Sequence, residues 1–123
     1  MKSILPTEHQ IQSAFIKRVR MHENRFPALR TLLAIPNGSW RHPATAARLK
    51  AEGVRPGAPD ILLPVPSGKY AGLALEFKRQ RNGHLSPAQR AYQSYLIMFG
   101  WRCETVWDAE QAWKILMGYL EIK

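Results

Sequence analysis

The sequence predicts an α/β domain with its elements in the order αβαββαβα. Three observations predict it. Capping signals precede apolar residues at helical spacing, short apolar runs are bounded by proline and glycine, and 123 residues at 46% hydrophobic content can build one core. That length is too short for two ordinary domains, so residues 1–123 are expected to form one.

Thr7 and Gln10 have the spacing of a capping box, and Ile11, Phe15 and Val19 follow at helical intervals, which predicts a helix from Glu8 to about His22. After Pro27, Thr31 to Ile35 reads as a strand ended by Pro36-Asn37-Gly38. Pro43 opens a short helix through Ala44, Ala46, Ala47 and Leu49 that stops at Gly53. Beyond a loop over 54–59, Ile61 to Val65 and Leu73 to Phe77 are strands joined through Pro66-Ser67-Gly68-Lys69-Tyr70, an antiparallel hairpin. Ser86 as N-cap, Pro87 at the first helical position and Gln89 three residues after the cap begin the clearest helix. Tyr92, Tyr95, Leu96 and Phe99 form its apolar face, and Gly100 ends it. Arg102 to Val106 is a further strand, and Asp108 caps a last helix expected to bury Ala112, Trp113, Leu116 and Leu120.

Eighteen Lys and Arg against nine Asp and Glu give a net charge of +9, which favours a polyanionic partner, nucleic acid first. An anionic membrane is disfavoured, because there is no apolar stretch of spanning length and no polybasic run beside a long apolar helix. The first ten residues lack the apolar region of a signal peptide, and the lone Cys103 allows neither an internal disulfide nor a cysteine zinc site. A cytoplasmic protein is expected, with Cys103 in the core. A P-loop and a GxSxG elbow are absent, so nucleotide-driven motor and serine hydrolase readings lack their key parts and no nucleotide cofactor is implied. His9, His22, His42 and His84 lack metal-ligand spacing and read as surface residues, although His84 stands close enough to the expected site to touch a phosphate.

Chemistry concentrates in the second hairpin. Alternation puts Leu73, Leu75 and Phe77 on one strand face and Ala74, Glu76 and Lys78 on the other, and a turn centred on Gly68 opposes Asp60 to Glu76. Two facing carboxylates repel, so something positive belongs between them. A hard divalent cation such as magnesium, held by carboxylates, waters and substrate phosphates, meets that need. It would acidify a water and stabilise charge on a phosphate, with Lys78 as an adjacent electrostatic group. The bland alternatives are a turn aspartate at a strand entrance and a solvated basic strand face continued by Arg79 and Arg81.

Gly57-Ala58-Pro59-Asp60 followed by Leu75-Glu76-Phe77-Lys78 resembles the PD-(D/E)xK nuclease signature. Glu8-x-x-Ile11-Gln12, Pro36-Asn37-Gly38, Ala46-Ala47-Arg48-Leu49-Lys50-x-x-Gly53 and Leu85-Ser86-Pro87-x-Gln89 are similar, more narrowly, to the virus-type replication-repair nuclease (VRR-NUC) family. The resemblance implies a restriction-endonuclease-like fold, a central mixed β-sheet flanked by helices. It also implies a Mg2+-dependent DNA endonuclease, with Mn2+ as substitute, selective for branched or four-way-junction DNA and acting as a homodimer, as in family members often of phage origin. Asp60, Glu76, Lys78 and Gln89 are then catalytic, and Glu8, Asp60, Glu76 and the Phe77 carbonyl bind metal. Glu8 has a structural alternative as an acid complementing a helix dipole, and Gln89 as a capping residue. Arg41, Arg55, Arg79, Arg81 and Trp40 are expected to contact nucleic acid. The rival readings are a non-catalytic DNA-binding protein of the same fold and an RNA-directed nuclease.

Overall fold

The structure is a computed structural model that describes residues 5–36, 42–79 and 83–121. Its elements are α1 (Glu8–Met21), β1 (Leu33–Ala34), α2 (Pro43–Ala51), β2 (Ile61–Leu63), β3 (Leu73–Phe77), α3 (Pro87–Met98), β4 (Arg102–Val106) and α4 (Ala109–Glu121). The order is the αβαββαβα expected from the sequence. A 3-10 turn over Pro27–Thr31 is added, and it shortens the first strand to two residues. Proline at its first position presets the tight turn, and Leu29 is buried from it.

Both capping boxes form. The Gln10 amide donates to Thr7 Oγ1 at 3.0 Å while the Thr7 amide donates to Gln10 Oε1 at 2.9 Å, and Ser86 and Gln89 repeat the exchange at 3.1 and 2.8 Å. Asp108 caps α4 through the Gln111 amide at 2.7 Å. Each exchange satisfies two backbone or side-chain groups that a helix start otherwise leaves to water.

The four strands lie in the order β1-β2-β3-β4. β1 with β2 and β2 with β3 are antiparallel, whereas β3 and β4, joined through α3, are parallel, so the sheet is mixed. Ile61 pairs with Leu75, Leu62 with Ala74 and Leu63 with Leu73, the register that opposes Asp60 to Glu76. α1 and α4 pack together over one face, where Ile11, Phe15 and Val19 meet Leu73, Leu75, Phe77 and Val106. From α4 the buried residues are Ala112, Trp113, Leu116 and Tyr119; Leu120, expected in their place, is only partly covered. Tyr119 is retained there because its hydroxyl donates to the Val65 carbonyl at 2.6 Å, tying α4 to the end of β2.

α3 covers the opposite face, chiefly against β4. Its expected apolar face is the main departure from the sequence reading. No residue of α3 is buried, and Tyr95 and Phe99 are 64% and 73% exposed. Its half-buried residues are Gln89, Tyr92, Gln93 and Leu96, with the Gln89 side chain reaching β3 and the Gln93 main-chain carbonyl accepting from Cys103 Sγ. Cys103 is accordingly half-buried rather than in the core, and burial pushes its thiol up to about 11, far from a nucleophile at neutral pH.

The loop before β2 touches the first turn of α3 at Gly57. A Cβ on Gly57 would lie 2.4 Å from the Ala88 carbonyl carbon and oxygen, and its φ of +85° is one that L side chains rarely adopt. Gly57→Ala is expected to cost at least about 2 kcal/mol, since left-handed strain and a clash with rigid backbone add. Urea unfolding checks this, and a loss within experimental error would contradict the close approach.

Candidate active site

Asp60 enters β2 directly after the buried pair Ala58-Pro59, and Glu76 is the fourth residue of β3, a strand buried along its whole length. Glu76 is 3% exposed, the one charged side chain in the buried class among the described residues. An ionised carboxylate there has to be held by donors. The Asp60 amide donates to Glu76 Oε2 at 3.1 Å, and the Phe77 amide donates to Asp60 Oδ2 at 2.8 Å. Each carboxylate thus accepts from backbone beside the other, and the two strands are latched at the point where their acids meet.

Gln89 closes the other side. Its Nε2 donates to Glu76 Oε1, while its Oε1 accepts from Lys78 Nζ at 3.1 Å and from the Ser86 amide at 2.8 Å. Capping residue and site residue were alternatives in the sequence, yet the side chain serves both places at once. Its cap fixes where the carboxamide stands, and the carboxamide joins an acid to a base.

Burial raises both acids. For Glu76 desolvation acts first and the neighbouring Asp60 charge second, pushing its pKa from the ordinary 4.5 up to about 8 against the lowering effect of the Asp60 amide and Lys78. Asp60 is raised as well, first by burial and then by the charge of Glu8, with the Phe77 amide opposing.

Glu8 reaches this neighbourhood from the first turn of α1. It is exposed, and its Oε2 accepts from the Arg79 amide at 3.4 Å. Among the described residues no group of three or more His, Cys, Asp and Glu side chains is placed to hold a metal ion, so Glu8, Asp60 and Glu76 do not form a three-carboxylate cage. The donor set that does converge is two opposed, desolvated carboxylates beside the Phe77 backbone. Two hard-oxygen donors desolvated side by side suit a divalent cation that displaces the shared proton and keeps several waters.

The expected nucleic-acid contacts divide three ways. Arg55 is exposed on the loop before β2. Arg79 is half-buried and its guanidinium donates to the Leu5 carbonyl at 3.2 Å, so it braces the chain leading into α1 rather than standing out in solvent. Trp40, Arg41 and Arg81, with the Asn37-Gly38 turn, lie outside the described residues. Sequence reasoning passed over Gly57 except as a motif letter; its close approach to Ala88 is what brings the strand carrying Asp60 against the helix carrying Gln89.

The pKa of Glu76 has a measurable consequence. Without metal, folded Glu76 holds a proton that the unfolded chain releases near its ordinary value of 4.5, so this stabilisation is complete below that pH and is lost as pH rises through about 8. Glu76→Gln, which mimics the protonated acid, is therefore expected to gain stability relative to wild type as pH rises from about 4 to about 8.5 in chelator, by roughly 5 °C in Tm or more. Thermal melts at both pH values decide it, and parallel pH dependences would refute the raised pKa.

No protein-family model matches the chain, and no curated protein matches it. A solved structure named "VRR_NUC domain protein" shares the fold with a TM-score of 0.79, at 21% sequence identity, over 99% of this chain and 93% of the other. The likeness extends over nearly the whole of both chains, and on it this chain, with its mixed four-stranded sheet and flanking helices, has the VRR-NUC nuclease fold.

Proposed function

We propose that the chain is a magnesium-dependent endonuclease that hydrolyses DNA phosphodiester bonds, with Asp60, Glu76 and Lys78 as its catalytic residues and Gln89 positioning two of them. The observation that carries this reading is the latched Asp60 and Glu76 pair, desolvated and acid-weakened, with Lys78 joined to it through Gln89. Such perturbed acids concentrate at functional sites. A merely structural carboxylate pair gains nothing from being buried face to face.

Asp60, Glu76 and the Phe77 carbonyl would hold the cation, with Glu8 adding negative charge from beyond Asp60 rather than a direct ligand. When bound, the cation supplies positive charge at the phosphate and a more acidic water. In the reaction water adds to phosphorus, one P–O ester bond breaks, and the leaving oxygen takes a proton. Lys78 carries its charge to the edge of the pair, where it orients water and offsets the charge that grows in the transition state. Gln89 fixes both Glu76 and Lys78, so the acid and the ammonium cannot collapse into an ion pair of their own. The net charge of +9, with Arg55 exposed nearby, attracts the DNA backbone. Among the described residues no helix is long and apolar enough to cross a membrane. Selectivity for branched DNA, a homodimer placing two sites for symmetric cuts, and action in the cytoplasm complete the reading.

A cleavage panel of linear duplex, single-stranded, flap and four-way-junction DNA, with Mg2+, Mn2+ or chelator, tests the whole. Metal-dependent cutting is expected, best on a branched substrate; binding without cleavage under every condition would replace the enzyme with a DNA-binding protein.

Lys78→Met keeps the apolar stem and removes the charge. Its single-turnover rate at saturating enzyme is expected to fall at least about a hundredfold, as for loss of one preorganised electrostatic group, with DNA affinity nearly kept. An unchanged plateau rate would take Lys78 out of the chemistry.

Mg2+ should raise the Tm of wild type at about pH 8 and leave Asp60→Asn unmoved, because binding to the folded state alone stabilises it. Equal shifts in the two proteins would place the cation elsewhere.

A further inference from the structure

Beside the carboxylate site runs a groove of about 780 Å³ between α3 and the end of α2 with its following loop. Ala88 lies in its wall, and the next residue is Gln89, so the groove begins one residue from the side chain that joins Glu76 to Lys78. From there Tyr92, Tyr95 and Phe99 follow one another along the helix at spacings of three and four residues, a row on one face. Lys50 and Arg55 stand on the opposite wall, and among the described residues no acidic one lines it.

Tyr95 and Phe99 have no place in the core, and Tyr92 is only half-buried. Among the described residues none of the three pairs with another aromatic ring, neither tyrosine hydroxyl has a hydrogen-bond partner, and Tyr95 and Phe99 are mostly in water. Leaving such area exposed costs hydrophobic stabilisation that burial elsewhere would have gained. The groove joins an apolar aromatic floor to a cationic rim, and its occupant must match both. A second copy of this chain would bring aromatic surface but also another +9 charge. An unpaired nucleic-acid strand brings flat π faces and a negative charge at every nucleotide. A duplex keeps its base faces stacked inside and cannot use the rings.

We propose that this groove binds the unpaired strand of a DNA substrate, its bases stacked on Tyr92, Tyr95 and Phe99 and its phosphates drawn to Lys50 and Arg55. The inference rests on the nuclease reading and narrows its substrate to DNA with a single-stranded segment beside the cut, the segment leading from the scissile phosphate along α3.

The test measures binding in chelator, so it stands whether or not the chain cleaves. Three fluorescent probes of about 12 nucleotides are used: an oligothymidylate, an abasic backbone of equal charge, and a duplex, a length within the range such grooves occupy. Wild type is expected to prefer the oligothymidylate to the abasic strand by at least about fivefold, the effect of stacking one base. The double variant Tyr95→Ala with Phe99→Ala, which leaves only Tyr92, should lose most of that preference and keep its duplex affinity, whereas Tyr95→Phe with Phe99→Trp, which retains the rings, should keep the preference. Lys78→Met should also keep it, separating this groove from the chemistry. A preference undiminished by loss of both rings overturns the proposal. So does a wild-type dimer that the alanine variant converts to monomer with all three affinities falling together, since the groove would then belong to a second copy. Unchanged melting of each variant confirms that the fold is intact.

Discussion

Glu76 is a carboxylate taken out of water in the middle of a sheet, and the arrangement of the molecule around it follows from what that requires. A buried charge is tolerated when donors, a proton or a counter-ion replace its hydration. All three are provided for. The Asp60 amide and the Gln89 carboxamide donate to its two oxygens, its raised pKa lets it keep a proton at neutral pH, and the facing Asp60 completes the seat for the cation we propose. Proton and cation compete for the same oxygens. The pair is therefore held ready at a cost in stability, the bargain expected of an active site rather than of a structural ion pair.

Two close approaches keep the seat in shape. The Gly57 backbone lies against the Ala88 carbonyl, which sets the distance between the loop delivering Asp60 and the helix delivering Gln89. The Ser86 and Gln89 capping box then fixes the rotation of that helix, since the same Oε1 that accepts from the Ser86 amide accepts from Lys78. Local helix-start chemistry and the distant strand are thus coupled through one carboxamide. Lengthening or shortening the connection before α3 would move Gln89 away from Glu76 even if every strand stayed in register.

What the sequence made legible is what local rules decide. Helix starts follow from Thr7 with Gln10 and Ser86 with Gln89, whose side chains reach only three residues, and the hairpin register follows from period-two alternation about one turn. The opposition of Asp60 to Glu76 could therefore be read from spacing. What misled was information carried by neighbours far along the chain. Tyr92, Tyr95, Leu96 and Phe99 have the periodicity of a buried stripe, but periodicity records that a helix has an apolar face and not what covers it. Tyr119 displaced Leu120 from the core because the Val65 carbonyl, from another element, satisfies its hydroxyl. Arg79 looked like a free cation until the chain before α1 supplied a carbonyl for it.

Charge is distributed so that attraction and chemistry are separate. Three of the nine acids, Glu8, Asp60 and Glu76, are gathered at one end of β3, while eighteen Lys and Arg are spread over the chain. Among the described residues two ion pairs form, Arg18 with Glu110 and Arg102 with Glu104, and both leave their partners partly in solvent. Most of the positive charge is thus left to face water and draws a polyanion from any direction, a long-range effect that salt screens within about 10 Å. The acids act locally because they are gathered in one place: desolvated and close together, they are little screened by salt and their field is concentrated at the pair. A polyanion alone is repelled at that end of β3 and a cation alone is repelled by the rest of the surface. Each makes the other welcome, so binding of backbone phosphate and of metal at the pair should reinforce one another through electrostatics alone.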